Sequence, residues 1–324
     1  MAIFLNVGLT SWPHTRQAPG SGSHNFIWIG PSDALQTLLA FCYSYAAIGK
    51  TVFGLGTRLL STASIHNRQL SHDAFTSLTL RSVTSLGHFV KLFRFDLPSS
   101  HHTTGLKIGE YVAVRAEINN EQLVRFYSPI SRPDDPGHID LLIKVDDQGA
   151  MSKHIDALVP GVDALEFKGP LGKDFPKLAI ARTVPSAGVK RIALVAGGTG
   201  ISAMIQVIRS VLFHKRTDLE VKLLYGAVAP SELVFKDVLI EKARDNPNIK
   251  LYFTVDKPDA AWPKEGENSM FGTGYMSADV LKRELPPPGD DLRIIVCGPW
   301  KMCQVLKQTL TEIGYPKGMW YCFM

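Results

Sequence analysis

Apolar and polar residues alternate with a period of two through much of residues 73–177, the pattern of half-buried strands. Over residues 89–97 the alternation predicts Phe89, Phe93, Phe95 and Leu97 on one face, with Arg94 and Asp96 on the other. A second strand is expected over 111–116, after Gly109-Glu110, and a third over 138–145, with Ile139, Leu141, Ile143 and Val145 inward and Lys144 outward. Between Asn119-Asn120 and Pro129, residues 125–128 read as a further extended segment. Turn signals at 133–137 and 160–163 separate these runs, which is the signature of a small antiparallel β-barrel.

From residue 189 the pattern changes. Residues 191–196 form an unbroken apolar run of the kind buried on both faces in a parallel sheet. Similar runs at 221–225, 249–255 and 292–297 alternate with helical periodicity, including helices expected from about Ile201 towards Phe213 and from about Trp300 to Ile313. This alternation predicts a doubly wound α/β domain with a parallel sheet. The expected organisation is a leader over 1–72, a barrel over 73–180 and an α/β domain over 181–324, with a loose linker at 181–188.

The chain has 324 residues, 20% of them charged, with a net charge of +5. That balance is mild, and no dense basic stripe marks a nucleic-acid binder. The four cysteines, Cys42, Cys297, Cys303 and Cys322, are scattered. They form neither a disulfide framework nor the closely spaced set that a plant-type iron–sulfur cluster needs. No metal site is expected. The leader carries Arg16, Lys50, Arg58 and Arg68 against the single acid Asp33, and residues 34–57 hold one charge, Lys50. A stretch of that length can span a bilayer. A membrane anchor, an organelle-targeting segment and an unstructured leader all remain open.

Candidate chemistry clusters at four places. Arg125, Tyr127 and Ser128 together offer a planar fork for phosphate, a flat ring and a short hydroxyl, as a nucleotide with an extended ring system requires; an edge strand with an ion-paired arginine would look the same. Gly149, Met151 and Ser152 sit at the start of a short expected helix, where free amides suit a phosphate but an ordinary serine cap is equally natural. Residues 167–175 contain Gly169, Pro170 and Gly172, read as a tight turn. At carboxyl ends of predicted parallel strands lie Gly197, Gly198, Thr199 and Gly200, then Asp256, then Cys297, Gly298 and Pro299. Such ends hold ligands in open α/β sheets, although a glycine turn for helix packing and a small apolar cysteine are plain alternatives.

In order along the chain, R-x-Y-[ST]-x-x-[ST], G-x-M-S, G-P-x-G, G-G-T-G-I and C-G-P-x-x-M resemble the NADH–cytochrome b5 reductase family, a branch of the ferredoxin reductase-like flavoproteins. The resemblance covers about residues 75–324 and implies an FAD-binding barrel followed by an NAD-binding α/β domain. It implies that Arg125 faces the FAD pyrophosphate, Tyr127 the flavin and ribityl, and Ser128 the flavin N5. Gly149, Met151 and Ser152 would support the pyrophosphate, and Thr199 would lie beside flavin or nicotinamide. Gly197, Gly198, Gly200, Lys144, Asp256, Gly298 and Pro299 would shape the NADH site, with Cys297 beside the nicotinamide. The implied acceptor is cytochrome b5 or another haem protein, at the endoplasmic reticulum or mitochondrial outer membrane. Rival readings are a reductase serving an oxygenase or P450 system, and a non-catalytic flavin- or nucleotide-binding redox sensor. Two departures stand out: Phe126 replaces the usual proline, and Ala150 replaces the lysine of G-K-M-S.

Overall fold

Strand β1 (Thr76–Ser85) is the centre of the first sheet, hydrogen-bonded to β2 (Val90–Asp96) on one side and to β6 (Ala164–Leu171) on the other. Outside β6 come β3 (Tyr111–Ile118) and β4 (Glu121–Tyr127), and outside β2 comes β5 (His138–Lys144). The order is β4-β3-β6-β1-β2-β5, with every pairing antiparallel. A computed structural model describes residues 70–87, 89–172, 188–264 and 267–323. Residues 34–57, and the linker expected at 181–188 apart from Gly188, lie outside the described residues.

The six strands curl round one core. Leu78 and Leu80 of β1, Phe93 and Phe95 of β2, Val112 and Val114 of β3, Ile139 and Leu141 of β5, and Phe167 of β6 are all buried in it. Helix α1 (Ala150–Asp156), between β5 and β6, adds Met151 and Ile155. Alternation therefore maps onto the barrel as expected at Phe93, Phe95 and Leu97, but not at Phe89. Phe89 precedes β2 and is 54% exposed at the barrel lip, because the ladder that would turn it inward begins at Val90. Of the turn expected over 167–175, residues 167–171 are strand: β6 runs through a register shift at Gly169 and Pro170 to pair Leu171 with Tyr111, Gly172 follows with φ +100°, and 173–175 lie outside the described residues.

The second sheet contains β7 (Arg191–Gly197), β8 (Glu220–Ala227), β9 (Ile249–Val255), β10 (Phe271–Thr273), β11 (Leu292–Cys297) and β12 (Trp320–Cys322). The order β10-β9-β8-β7-β11-β12 is parallel throughout. Helices α2 (Ile201–Phe213), α3 (Lys236–Asp245), α4 (Ala278–Glu284) and α5 (Trp300–Glu312) make the crossovers. The short strands β10 and β12 carry too little pattern to be legible beforehand. Winding runs outward from β7 through β8, β9 and β10, and the chain then returns to place β11 on β7's other side. The topological switch point thus falls between β7 and β11. Both sheets belong to one compact unit.

Phe167 lies at the middle of the barrel core, edge-on to Phe95 with ring centroids 4.9 Å apart. Phe167→Ala is expected to cost about 3–5 kcal/mol through lost burial and the cavity left behind, read as a lower urea midpoint with an unchanged slope.

Candidate functional site

The barrel contributes its edge strand. In the β3–β4 ladder Val114 faces Arg125, Ala113 faces Phe126 and Val112 faces Tyr127. Arg125 and Tyr127 therefore share one side of β4, and Phe126 takes the other. The Tyr127 ring packs against the barrel core at its rim, and burial pushes its phenol up to about 12 against the opposing pull of the Arg125 charge. The Arg125 guanidinium is exposed and donates to the adjacent Val124 carbonyl at 2.9 Å; among the described residues it has no carboxylate partner. A cation without a carboxylate partner on an edge strand is available to a phosphate. Pro129 then ends the strand, leaving Ser128 half-buried at the turn.

At α1 the serine is not a helix cap. Gly149 occupies the N-cap position without a side-chain hydrogen bond. The Ser152 hydroxyl instead accepts the Asp146 N–H at 3.1 Å and donates to the Gly149 carbonyl at 3.0 Å. The first-turn amides therefore have no side-chain acceptor from Ser152, and such amides suit an anion. Met151 buries its side chain in the barrel core, so only its backbone is open to a ligand.

At the switch point of the second sheet, β7 ends in a 3-10 turn, Gly198–Gly200, which leads straight into α2. A Cβ at Gly200 would run into the Cys297 carbonyl, and one at Gly197 into the Met302 sulfur. A Cβ at Gly298 would meet the Met302 methyl and lie 3.1 Å from the Gly197 nitrogen. These three glycines let two strand ends close on each other. Gly198 differs: its φ is +53° and nothing lies within 4 Å of where its Cβ would stand. Packing thus explains Gly197, Gly200 and Gly298, while Gly198 opens onto free space.

Between the barrel rim and these strand ends lies a cavity of about 1290 Å³. Tyr127, Ser128, Lys144 and Ser152 line it from the barrel, and Gly197, Gly198, Thr199, Gly200, Asp256, Cys297, Gly298 and Pro299 from the sheet. Arg125, Gly149 and Met151 are not among its lining residues. Tyr111, Phe126, Glu232, Tyr275, Trp300 and Phe323 also line it, and none of them carries a binding motif in the sequence. The signal for three of them is exposure, which only the structure supplies. Phe126 is 64%, Tyr275 81% and Trp300 66% exposed, aromatic rings left in solvent around a cleft. The Tyr111 ring lies edge-on to Phe126 at 5.6 Å.

The charged residues lining the cleft are Lys144, Glu232, Asp256 and Lys301. Lys144 of the barrel pairs with Glu232, in the turn after β8, at 2.8 Å. Asp256, at the end of β9, has no side-chain hydrogen bond among the described residues. Its carboxyl is raised above the usual range, first by burial and then by Glu232, with Lys257 opposing. Cys297 is half-buried beside this floor, and burial pushes its thiol up to about 12. It is a neutral thiol near pH 7, neither a nucleophile nor a base. No cluster of three metal-ligating side chains occurs among the described residues.

A barrel rim facing glycine-closed strand ends across one cleft defines a two-domain nucleotide-binding protein. The sequence agrees. It matches the family described as oxidoreductase FAD-binding domain over residues 77–175 and that described as oxidoreductase NAD-binding domain over 194–308. It is 34% identical over 267 residues to NADH-cytochrome b5 reductase 2 of Xenopus tropicalis, covering 76% of this chain and 85% of that protein. With NADH-cytochrome b5 reductase 1 of Homo sapiens it shares 32% identity over 265 residues, 76% of this chain and 84% of that protein. Among solved structures, the cytochrome b5 reductase domain of Ulva prolifera nitrate reductase superposes with a TM-score of 0.68 at 27% identity, covering 79% of this chain and 100% of that chain. A cytochrome P450 reductase of Amycolatopsis, at 19% identity and a TM-score of 0.61 over 76% of this chain and 69% of that one, shares the fold. The chain belongs to the NADH-cytochrome b5 reductase family. It is an oxidoreductase that uses FAD and NADH.

The two kinds of glycine separate by experiment. Gly200→Ala forces backbone against backbone and is expected to destabilise the fold by about 1–3 kcal/mol or more. Gly198→Ala carries the left-handed backbone penalty of about 1–2 kcal/mol and projects its methyl into the cleft. Urea unfolding should therefore rank Gly200→Ala as the worse folder, with weakened NADH binding in Gly198→Ala measured by titration.

Proposed function

We propose that the enzyme takes electrons from NADH and passes them through FAD to a haem protein such as cytochrome b5. The observation that carries this reading is the shared cleft: Tyr127 and Ser128 on the barrel wall and Gly198, Thr199 and Cys297 on the sheet wall line one cavity. When bound, FAD supplies the chemistry that converts a two-electron hydride donor into a one-electron donor. The protein's own residues bind, orient and exclude water. Arg125 and the first-turn amides at Met151 and Ser152 hold the FAD pyrophosphate, with Gly149, whose own N–H is donated to the Asp146 carbonyl at 2.9 Å, leaving room for it at the helix start. Tyr127 packs along the flavin and ribityl, and Ser128 directs its hydroxyl to N5. Thr199 lies beside the two rings, and Gly197, Gly198, Gly200, Gly298 and Pro299 form the shelf for the nicotinamide nucleotide. Cys297 fills space next to the nicotinamide as a neutral thiol. Asp256 receives the ribose diol.

Lys144 meets the nucleotide only by sharing or leaving Glu232, since its amine is already paired there. The domain boundaries that suit these roles are 73–180 for the FAD-binding part and 181–324 for the NAD-binding part. Membrane association through residues 34–57 is the reading that the length and low charge of that segment support, and the family resemblance suggests the endoplasmic reticulum or mitochondrial outer membrane as its place. No helix among the described residues is long and apolar enough to cross a membrane.

The purified protein should be yellow, should be bleached by NADH without oxygen, and should regain colour on adding oxidised cytochrome b5 while the haem spectrum becomes reduced. Bleaching without haem reduction would remove cytochrome b5 as acceptor. Asp256→Ala removes a negative charge next to the expected ribose and should narrow the preference for NADH over NADPH roughly tenfold, worth about 1.4 kcal/mol, in kcat/KM ratios. An unchanged ratio would place the discrimination elsewhere.

A further inference from the structure

Helix α2 is buried nearly all round, including the polar residues Ser202, Gln206 and Ser210. A helix that only covered a sheet would keep one polar face in water. The reason is that its far side meets the barrel. Gln206 Oε1 accepts the Gly109 N–H at 3.0 Å, two residues before β3. One turn on, Arg209 Nη1 donates to the Ile130 carbonyl at 2.7 Å and Nη2 to the Asp135 carboxylate at 3.3 Å. A further turn on, the Arg132 guanidinium lies over the Phe213 ring, 3.4 Å from its centroid. Positions 206, 209 and 213 fall on one helical face.

The loop that Arg209 grips is the one that follows β4. Ile130 stands two residues after Ser128, and its N–H donates to the Asp140 carbonyl at 2.9 Å. The Asp140 N–H in turn donates to the Ser131 hydroxyl at 3.1 Å. The loop is thus pinned to β5 by its backbone and to α2 by the carbonyl of Ile130. The same helix begins directly after the Gly198–Gly200 turn. One rigid element therefore carries the glycine turn at its head and holds the Ser128 loop about 12 Å further along, at roughly 1.5 Å per residue.

We infer that Arg209 is a positioning residue for hydride transfer: by fixing the Ile130 carbonyl it sets Ser128 at one distance from Gly198 and Thr199, and so sets the spacing of flavin and nicotinamide. This rests on the functional reading above. Burial works against the Arg209 charge, Asp135 and Asp140 support it, and Arg132 and Arg94 oppose it. The planar fork reaches a carbonyl and a carboxylate at once. A lysine would keep the charge and lose that geometry.

The test compares Arg209→Leu and Arg209→Lys with the unaltered full-length chain, each loaded with FAD. Anaerobic rapid mixing over a range of NADH concentrations separates the limiting rate of flavin bleaching from the NADH dissociation constant. The long-wavelength absorbance of reduced protein mixed with NAD+ reports ring contact independently of turnover. In Arg209→Leu the limiting rate should fall about ten- to a hundredfold, as misplacement of about 1 Å does, with the dissociation constant nearly unchanged and the long-wavelength band weakened. Arg209→Lys should lie between, and it carries the same readouts if the leucine variant does not fold. A limiting rate and band within about twofold of the unaltered protein, or a change confined to NADH affinity, would overturn the inference. So would a loss of rate that merely tracks lost FAD. If the unaltered protein is itself colourless or unbleached, the functional reading fails instead.

Discussion

Two strand ends pressed together at the switch point govern the rest of the site. β7 and β11 finish side by side, and the turn after one lies against the backbone of the other so closely that Gly200 has no room for a side chain beside the Cys297 carbonyl. Gly197 and Gly298 are held in the same way against Met302. The consequence is a floor with backbone close to its surface at the place where an open parallel sheet splits its crossovers and leaves a crevice. Only Gly198 opens outward from it. A flat ring can approach backbone there, and it could not do so over any larger residue.

Across from this floor the barrel offers the opposite chemistry. Among the described residues its edge strand has no further strand to pair with, Arg125 projects without a carboxylate partner, and Phe126 stays in solvent. An unpaired edge is a hazard in a free sheet; here Phe126 and Tyr127 of that edge line the cleft. The two walls are joined at more than one level. Lys144 reaches Glu232 across the cleft, and Gln206 and Arg209 tie α2 to the start of β3 and to the loop after Ser128. The first tie is an ion pair between partly exposed groups, of a kind worth little in isolation and able to exchange with a ligand. The second is buried and hydrogen-bonded, and such contacts set geometry.

Much of this could be read from residue order. The change from period two to buried runs at residue 189 marked the passage from antiparallel to parallel sheet, and the observed strands β7, β8, β9 and β11 lie where those runs were. The residues expected to bind nucleotide mostly come together in one cavity. What alternation could not show is where a ladder begins: Phe89 has the parity of Phe93 and Phe95 but lies one residue outside the strand. Nor could it show that Gly169 and Pro170 continue a strand, because turn residues look alike whether or not a partner strand is present. Glu232 and Arg209 carried no local signal at all. Their importance comes from contacts across 88 and 79 residues of sequence, and a buried polar face on α2 reads in one dimension as an ordinary amphipathic helix.

The central claim is that flavin and nicotinamide meet in the cleft between barrel rim and sheet floor. A crystal structure of the FAD-loaded protein with NAD+ measures this directly. The account predicts flavin N5 within hydrogen-bonding distance of the Ser128 hydroxyl, with the nicotinamide lying between that ring and the floor formed by Gly198, Thr199 and Cys297. A flavin seated away from Ser128, or a nicotinamide held outside this cleft while the protein still oxidises NADH, would contradict it.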